Sequence, residues 1–258
     1  MSRKLYVGNF DPDTIPGFEI DQIRPDALPN KIINAIRLAL ADGERLVAQN
    51  FENRKITVLG HFYAGSRSAY ETARDTLLGV FNSQTVQTIV FEQSGSDRRY
   101  TGVYENMSFE YKDNGTCIVT IIYRCTDPFG EKVAPTTFFD EVVTSETTRV
   151  IDAGGNIYGL PKITARIEDI DDDEAERTFA VSITQGTDTR RLAITRIWGI
   201  NDTVTVDSKK QRVYVNGSQV EFSGQWPRVL KTNTFRFNMV DAATFEVDLL
   251  VTYNERYL

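Results

Sequence analysis

The chain has 258 residues, of which 41% are hydrophobic and 25% are charged, and its formal net charge is −7. This composition is that of a globular protein and excludes a disordered one. The acidic balance, without a dense run of Lys or Arg, argues against sequence-specific nucleic-acid binding, which needs clustered basic residues. The length indicates one large domain or two ordinary ones.

The first ten residues carry charge but no apolar stretch of the kind that makes a secretory signal. No window approaches the ~20 apolar residues that a membrane helix needs. We therefore expect synthesis in a cytoplasm and no membrane partner. Cys117 and Cys125 lie on one predicted strand, about 26 Å apart at ~3.3 Å per residue, which is too far for a disulfide. We expect both to be buried thiols or residues without a specific role.

The first half of the chain predicts short strands around one helix. Residues 32–40 fit either helical or strand spacing, but Asp42-Gly43 is a hairpin turn signal and favours a strand over residues 36–40. Further strands are expected over residues 4–7, 18–23, 55–62, 85–92 and 98–105, and in a hairpin over 107–124 that turns at Asp113-Asn114-Gly115.

One segment, residues 69–81, predicts the helix. Ala69, Ala73, Leu77 and Phe81 recur every four residues and form one apolar stripe. Ser68, with Glu71 three residues later, fits a capping box that would begin the helix. We interpret the stripe as the face that packs on a sheet.

A cluster of Pro and Gly interrupts the strand pattern at Asp127-Pro128-Phe129-Gly130 and again at Pro135. We place a domain boundary there, which gives an N-terminal β domain with the helix over residues 1–134 and a second domain over 135–258.

The second domain predicts an antiparallel β-sandwich. Residues 136–150 are rich in Thr and other β-branched residues. Strands are expected over residues 162–167, 178–184 and 244–253, with a further short segment at residues 234–237. Residues 192–230 hold four short apolar-rich runs, each ended by turn residues. Asn216-Gly217 predicts a two-residue hairpin, because both turn positions need positive φ. Closely spaced short strands of this kind are typical of a sandwich.

Residues that could carry chemistry are few. His61 is the only histidine and no G-x-S-x-G pattern accompanies it, so we do not expect catalysis there. One histidine and two widely spaced cysteines do not form a zinc site. The acidic loop over residues 168–176 lacks the Gly and the distant Glu of an EF-hand and is interpreted as a solvated hairpin loop. Trp198 and Trp226 could stack on sugars, although such residues are more often core or edge anchors. We predict no catalytic, cofactor-binding or metal-binding residue and no enzymatic activity.

Taken in order, these pieces resemble the distal tail proteins of long-tailed, non-contractile bacteriophages, the siphophage tail-component family. No single motif is specific; the resemblance rests on the order and spacing of all of them. In the first half these are the strand 55–60, the helix 69–81, Arg99-Tyr100-x-Gly102 and Asp127-Pro128-Phe129-Gly130. In the second half they are Gly155-Asn156, Leu160-Pro161-Lys162-Ile163, Val213-Tyr214-Val215-Asn216-Gly217 and Trp226-Pro227. Trp226, where Phe is commoner, and the long acidic loop depart from the family pattern.

The resemblance implies a mainly β fold, with a ring-forming N-terminal β-sheet domain that has one helix and a galectin-like C-terminal β-sandwich. It also implies a structural protein of the virion tail tip, or baseplate hub, without cofactors. Six copies would form a ring that joins the tail tube protein to the tail hub or tail-associated protein and to receptor-binding proteins, and DNA would pass through it. An acidic balance suits such a channel. The alternative function is a carbohydrate-binding β-sandwich module.

For the ring contact we predict a projecting ribbon over residues 36–60. Subunits joined head to tail need two different surfaces that fit each other, and a projecting hairpin supplies one of them. Leu46, Val47 and Phe51 lie in a segment too polar to be buried by its own domain, and they are the predicted ring-interface residues. The alternative is ordinary packing of the ribbon against the helix over residues 69–81.

Overall fold

The computed structural model describes residues 4–7, 15, 17–25, 31–37, 44–81, 87–92, 97–112, 115–171 and 174–257, with the backbone alone for residues 4, 31–37, 44–50, 91 and 92. The chain divides into two compact units, Met1–Val133 and Ala134–Tyr257, which we call unit 1 and unit 2. Among the described residues, no helix is long and apolar enough to span a membrane.

The described part of unit 1 contains nine strands and one helix. In chain order these are β1 (Lys4–Val7), β2 (Phe18–Pro25), β3 (Lys31–Arg37), β4 (Glu44–Phe51), β5 (Arg54–Tyr63), α1 (Arg67–Phe81), β6 (Gln87–Glu92), β7 (Arg98–Tyr111), β8 (Thr116–Cys125) and β9 (Gly130–Lys132). The main sheet is antiparallel in the order β1-β6-β7-β8-β5-β2, and β9 joins β7 at its start. β3 and β4 pair with each other as a separate two-stranded sheet.

The core of unit 1 lies between α1 and one face of the main sheet. On β8, Cys117, Val119, Ile121, Tyr123 and Cys125 alternate inward and are fully buried, as the sequence predicts. The helix contributes the buried Leu77 and Phe81 to the same cluster. Both cysteines are buried thiols, as expected.

The start of α1 differs from the prediction. Ser66, not Ser68, caps the helix, because the backbone N–H of Ala69 donates to the Ser66 hydroxyl over 3.2 Å. Ser68 lies in the first turn, and Glu71 pairs with Arg67 at 3.2 Å instead of closing a capping box. Ala69 is exposed and the half-buried Tyr70 packs on the core in its place. The capping box and the first residue of the predicted stripe were therefore wrong.

β7 also differs from the prediction, which separated residues 98–105 from a strand that begins at 107. The structure has one strand of 14 residues, Arg98–Tyr111, with a register shift between Tyr104 and Asn106. A β-bulge adds one residue to a strand and bends it without ending the ladder. The bulge places Glu105 opposite no residue of β8.

Within the described residues, the regular secondary structure of unit 2 consists of strands alone. In chain order they are β10 (Thr136–Val143), β11 (Thr147–Ala153), β12 (Lys162–Ile170), β13 (Glu176–Gln185), β14 (Asp188–Ile197), β15 (Thr203–Asp207), β16 (Arg212–Val215), β17 (Ser218–Gln219), β18 (Ser223–Gly224), β19 (Lys231–Val240), β20 (Phe245–Tyr253) and β21 (Arg256–Tyr257). Two antiparallel sheets have the orders β10-β20-β12-β15-β16-β17 and β11-β19-β13-β14-β18.

The inner faces of these two sheets share one hydrophobic core. Its largest fully buried side chains include Trp198, Phe179, Phe235 and Phe237. Asn216 and Gly217 have φ values of 51° and 77°, so the predicted hairpin turn is confirmed. The predicted mainly β fold, with one helix and a β-sandwich, is confirmed as well.

Candidate interaction surfaces

The first candidate surface is the hairpin of β3 and β4. Its strands pair from Lys31 opposite Phe51 to Arg37 opposite Glu44, with a register shift between Asn34 and Ala35. The strand expected over residues 36–40 is present at residues 36 and 37, while residues 38–43, with the expected turn, lie outside the described residues. Because the hairpin forms its own sheet, its backbone is not part of the main sheet of unit 1.

The three predicted ring-interface residues all lie on β4. The side chains of Leu46 and Val47 lie outside what the structure describes. Phe51 ends β4 and is half-buried, and its ring lies edge-on to that of Phe129 with 5.3 Å between the ring centroids. Phe51 therefore has an aromatic partner in its own unit, at the base of the hairpin.

The second candidate surface is the face of the main sheet that points away from α1, which we call the outer face. Leu59 on β5 and Ile118 and Ile122 on β8 lie on this face, alternate with core residues and are half-buried. Tyr63, at the end of β5, is 69% exposed. Within the described residues these side chains belong to neither hydrophobic core. They form an apolar stripe along two central strands.

Ion pairs lie at the border of the outer face. The Glu105 carboxylate accepts hydrogen bonds from Arg124 at 2.8 Å and from Lys55 at 3.0 Å. Both hydrogen bonds lower the pKa of Glu105 below its ordinary value, and the bond from Arg124 has the larger effect. The network links β5, β8 and the bulge of β7, so it fixes charged side chains across three strands. On the neighbouring β2, Asp21 lies 2.9 Å from His61 Nδ1.

The structure also places the other residues that the sequence singled out. His61 lies on β5 with two carboxylate partners, Asp21 and, at 3.8 Å, Glu19. A catalytic triad needs a hydroxyl or thiol nucleophile beside the histidine. Neither of these two carboxylates supplies one. Trp198 is fully buried and its indole N–H donates to the Arg177 carbonyl at 2.9 Å. A buried ring has no face left for a sugar, so Trp198 does not support the carbohydrate-binding alternative.

Trp226 is half-buried and packs on Phe222 with 4.5 Å between the ring centroids. In the acidic loop, Asp171 accepts a hydrogen bond from the Ala243 backbone N–H at 2.8 Å. Asp169 accepts one from the backbone N–H of Ile170 at 2.9 Å. Residues 172 and 173 lie outside the described residues. Across the part of the chain that is described, no group of three or more His, Cys, Asp or Glu could hold a metal ion.

Sequence reasoning missed the outer face, although β8 carries a signal for it. The strand reads TCIVTIIYRC, in which Ile118 and Ile122 alternate with the core residues. A nearly continuous apolar run indicates a strand with apolar side chains on both faces. The pattern therefore predicts a second covered surface, but not what covers it.

Comparison with known proteins agrees with this architecture. Residues 13–122 match the family described as phage tail protein RIFT-related domain. The matched segment runs from just before β2 into β8, so it covers the hairpin, α1 and the centre of the main sheet. Over these residues the chain is therefore similar to this family of phage tail proteins.

The fold of the whole chain is similar to that of SPP1 Dit (gp 19.1) protein, described as a paradigm of the hub adsorption apparatus in phages that infect Gram-positive bacteria. The two align over 100% of each chain with a TM-score of 0.71 and 15% sequence identity. A chain of the phage P2 baseplate in its activated conformation with Ca aligns over 99% of this chain and 98% of its own, with a TM-score of 0.46 and 8% identity. No curated protein sequence matches. Family and fold together confirm the resemblance to siphophage distal tail proteins.

Proposed function

We propose that the chain is a structural protein of the phage tail tip that forms a hexameric ring. The ring joins the tail tube protein to the tail hub or tail-associated protein, carries receptor-binding proteins and lets DNA pass. One observation carries the proposal: a phage tail protein domain over residues 13–122 lies in a chain that has the SPP1 Dit fold along its full length. The net charge of −7 suits a passage for DNA, because like charges keep the phosphate backbone from sticking.

A head-to-tail ring needs two different surfaces on each copy. Unit 1 offers two: the β3–β4 hairpin and the outer face. Eight residues of β4 span about 26 Å at ~3.3 Å per residue, enough to cross several strands of a neighbouring sheet. The apolar stripe of Leu59, Ile118 and Ile122 gives a partner apolar surface to cover, and the burial of such surface favours association. We therefore place the hairpin of one copy on the outer face of the next.

The mass in solution tests the ring directly. Light scattering on the full chain, alone and with the tail tube protein, is expected to give six times the 29.2 kDa of one chain. A monomer at every concentration, also with the tube protein present, would contradict the proposal.

Hairpin variants test the contact. Replacement of both Leu46 and Val47 by Ser removes apolar contact worth roughly 1.5–3 kcal/mol for each large side chain that is fully buried. The loss recurs at every interface, so we expect folded monomers with the melting temperature of the unassembled wild-type chain. Val150→Ser is the matched control, because Val150 lies in unit 2 and is 74% exposed. If the double variant unfolds, these residues belong to the core of the subunit. If it forms rings of wild-type stability, the contact between subunits lies elsewhere.

Phe51 requires a separate variant, since its ring already contacts Phe129. Phe51→Ser is expected to weaken both the packing at the base of the hairpin and the contact between subunits. Phe51→Leu is expected to preserve part of each.

Mixing two defective variants tests whether the contact is head to tail. Ile118→Lys impairs the outer face and leaves the hairpin intact, whereas the Leu46 and Val47 double variant does the opposite. Each alone is expected to be monomeric. Mixed, they keep one good pair of surfaces, so we expect dimers of one copy of each and no larger ring. A mixture that contains only monomers would show that the hairpin and the outer face are not partners.

A further inference from the structure

A row of polar side chains crosses the outward face of one sheet in unit 2. Ser182 on β13 lies opposite Arg191 on β14 and opposite Arg236 on β19. The serine is therefore flanked by an arginine on each side. Neighbouring strands are about 4.8 Å apart, so the two arginine backbones are about 10 Å apart. Arginine side chains are long enough for both guanidinium groups to reach one small group placed between them.

Small side chains leave space beside this row. The next residues on the same face of β13 and β14 are Ala180 and Ala193, which pair with each other and are buried. A cavity of about 240 Å³ lies over this area, and the walls of the cavity include all three residues of the row. Pockets for drug-sized ligands begin at about 300 Å³. The cavity therefore has room for a small group, such as a phosphate or a carboxylate, and not for a whole cofactor.

Of the two arginines that line the cavity, one has an ion-pair partner among the described residues. Arg236 pairs with Glu146 at 2.6 Å, and the same carboxylate accepts a hydrogen bond from Asn238 at 3.4 Å. In the residues that the structure describes, Arg191 forms no ion pair. The acid on its own strand, Asp188, lies 3.2 Å from Arg190 and 2.7 Å from Arg228. Counting the Glu146 carboxylate that pairs with Arg236, the charges described at the cavity sum to one positive unit. Arg191 adds the five N–H donors of an exposed guanidinium.

The backbone of Arg191 is held in place by the neighbouring β18. A Cβ on Gly224 would lie only 2.0 Å from the Arg191 carbonyl oxygen, and Gly224 has a φ of +105°. Glycine therefore allows a closer approach than another residue could. The backbone N–H of Gln225 donates to the same carbonyl at 2.7 Å. Arg191 extends from a fixed point of the sheet and not from a loop.

We propose that Ser182, Arg191 and Arg236 form a binding subsite for a singly charged oxyanion, a phosphodiester or a carboxylate, carried by a larger ligand. Arg191 donates a planar fork of hydrogen bonds to two oxygen atoms, which is the geometry that guanidinium groups offer to such groups. Ser182 donates from the middle of the row. Glu146 holds Arg236 at the wall and cancels its charge, so the site favours a single negative charge. The cavity is open to solvent because Arg191 and Arg236 are exposed, so the rest of the ligand can extend away from the sheet.

Saturation-transfer NMR on the full chain tests the proposal and works equally for a monomer or a ring. The probes are dimethyl phosphate and acetate, whose methyl protons report binding, and trimethyl phosphate is the uncharged control. We expect saturable transfer to at least one of the two anions and none to trimethyl phosphate. Preference for dimethyl phosphate assigns a phosphodiester ligand, and preference for acetate assigns a carboxylate; either supports the site.

Three variants locate the binding. Arg191→Gln is expected to weaken it on the order of tenfold or more, the loss typical of a hydrogen bond to a charged group. Arg212→Gln removes the same charge from exposed β16 in the other sheet and should leave it unchanged. Glu146→Gln should tighten it severalfold, because it leaves two positive charges at the cavity. Binding that neither anion saturates, or that Arg212→Gln weakens as much as Arg191→Gln, overturns the proposal. Since the readout is ligand binding, it is independent of the mass measurement that tests the ring.

Discussion

Replacement of Trp198 tests whether this residue is a structural element of the sandwich or a ligand-binding one. Its side chain is fully buried, and its ring centroid lies 6.0 Å from that of Phe179. The Arg196 guanidinium lies over the ring at 5.3 Å from the centroid. A sugar-stacking tryptophan would be exposed and replaceable without loss of stability, whereas a core residue of this size would not be.

The expected magnitude follows from these contacts. Core Trp→Ala substitutions cost about 3–5 kcal/mol of unfolding free energy, from lost burial and the cavity that remains. The Arg177 carbonyl also loses its donor, which costs about 1–3 kcal/mol if the carbonyl stays buried. Against a typical total of about 5–15 kcal/mol, Trp198→Ala removes a large share. Trp198→Phe keeps a ring beside Phe179 and loses the donor, so we expect about 1–3 kcal/mol. Trp226→Ala, at a half-buried site, should cost about 1 kcal/mol.

Guanidinium unfolding measures these differences. The chain contains two tryptophans, and both lie in unit 2, so in each single variant the fluorescence of the remaining one reports on unit 2. Circular dichroism at each denaturant concentration checks that the fluorescence follows unfolding. Equal slopes of free energy against denaturant allow the midpoints to be compared directly. If Trp198→Ala costs no more than Trp226→Ala, the interpretation of Trp198 as the centre of the core is refuted.

Three further predictions concern electrostatics, backbone geometry and the domain boundary. Glu105 has a lowered pKa in the folded state, so its contribution to stability is present above its ordinary pKa of 4.5 and is lost as the pH falls below that value; Glu105→Gln should flatten acid unfolding curves in this range. Gly155→Ala should cost at least about 1–2 kcal/mol by thermal unfolding, because φ is +91° and a Cβ would lie 2.6 Å from the Arg256 carbonyl oxygen. Limited proteolysis followed by mass spectrometry should cut at residues 133–135, which lie outside strands, or in the acidic loop, because linkers and loop tips have the fewest buried backbone hydrogen bonds; first cleavage inside β7 or β8 would contradict the proposed domain boundary.

Several features of this chain could be predicted from the sequence because they depend on neighbours along the chain. The alternation of Ile56 and Val58 on β5, and of the apolar residues on β8, identifies strands by their period of two. The Asn216-Gly217 turn follows from local sterics, since these two residue types tolerate positive φ. The helix is visible as a stripe of Leu77 and Phe81 four residues apart. The order of such signals was enough to indicate the family.

Other features required the tertiary structure. Ser66 and Ser68 are equally good caps by residue type, and the choice between them depends on which turn places Tyr70 and Leu77 against the sheet. The continuity of β7 through the bulge at Glu105 depends on pairing with β8, because a bulge is defined by the partner strand.

The row of Ser182, Arg191 and Arg236 is the clearest feature that only the tertiary structure could reveal. Arg236 is 54 residues from Ser182 in the sequence, and no local pattern links them. Only the pairing of β19 with β13, in one particular register, places the two side chains next to each other. A shift of this register by one residue would turn the Arg236 side chain toward the core. The local sequence determined which segments are strands, because propensity and turn sterics act over a few residues. The tertiary structure decided which side chains share a surface, because the register is set by the burial of the whole inner face.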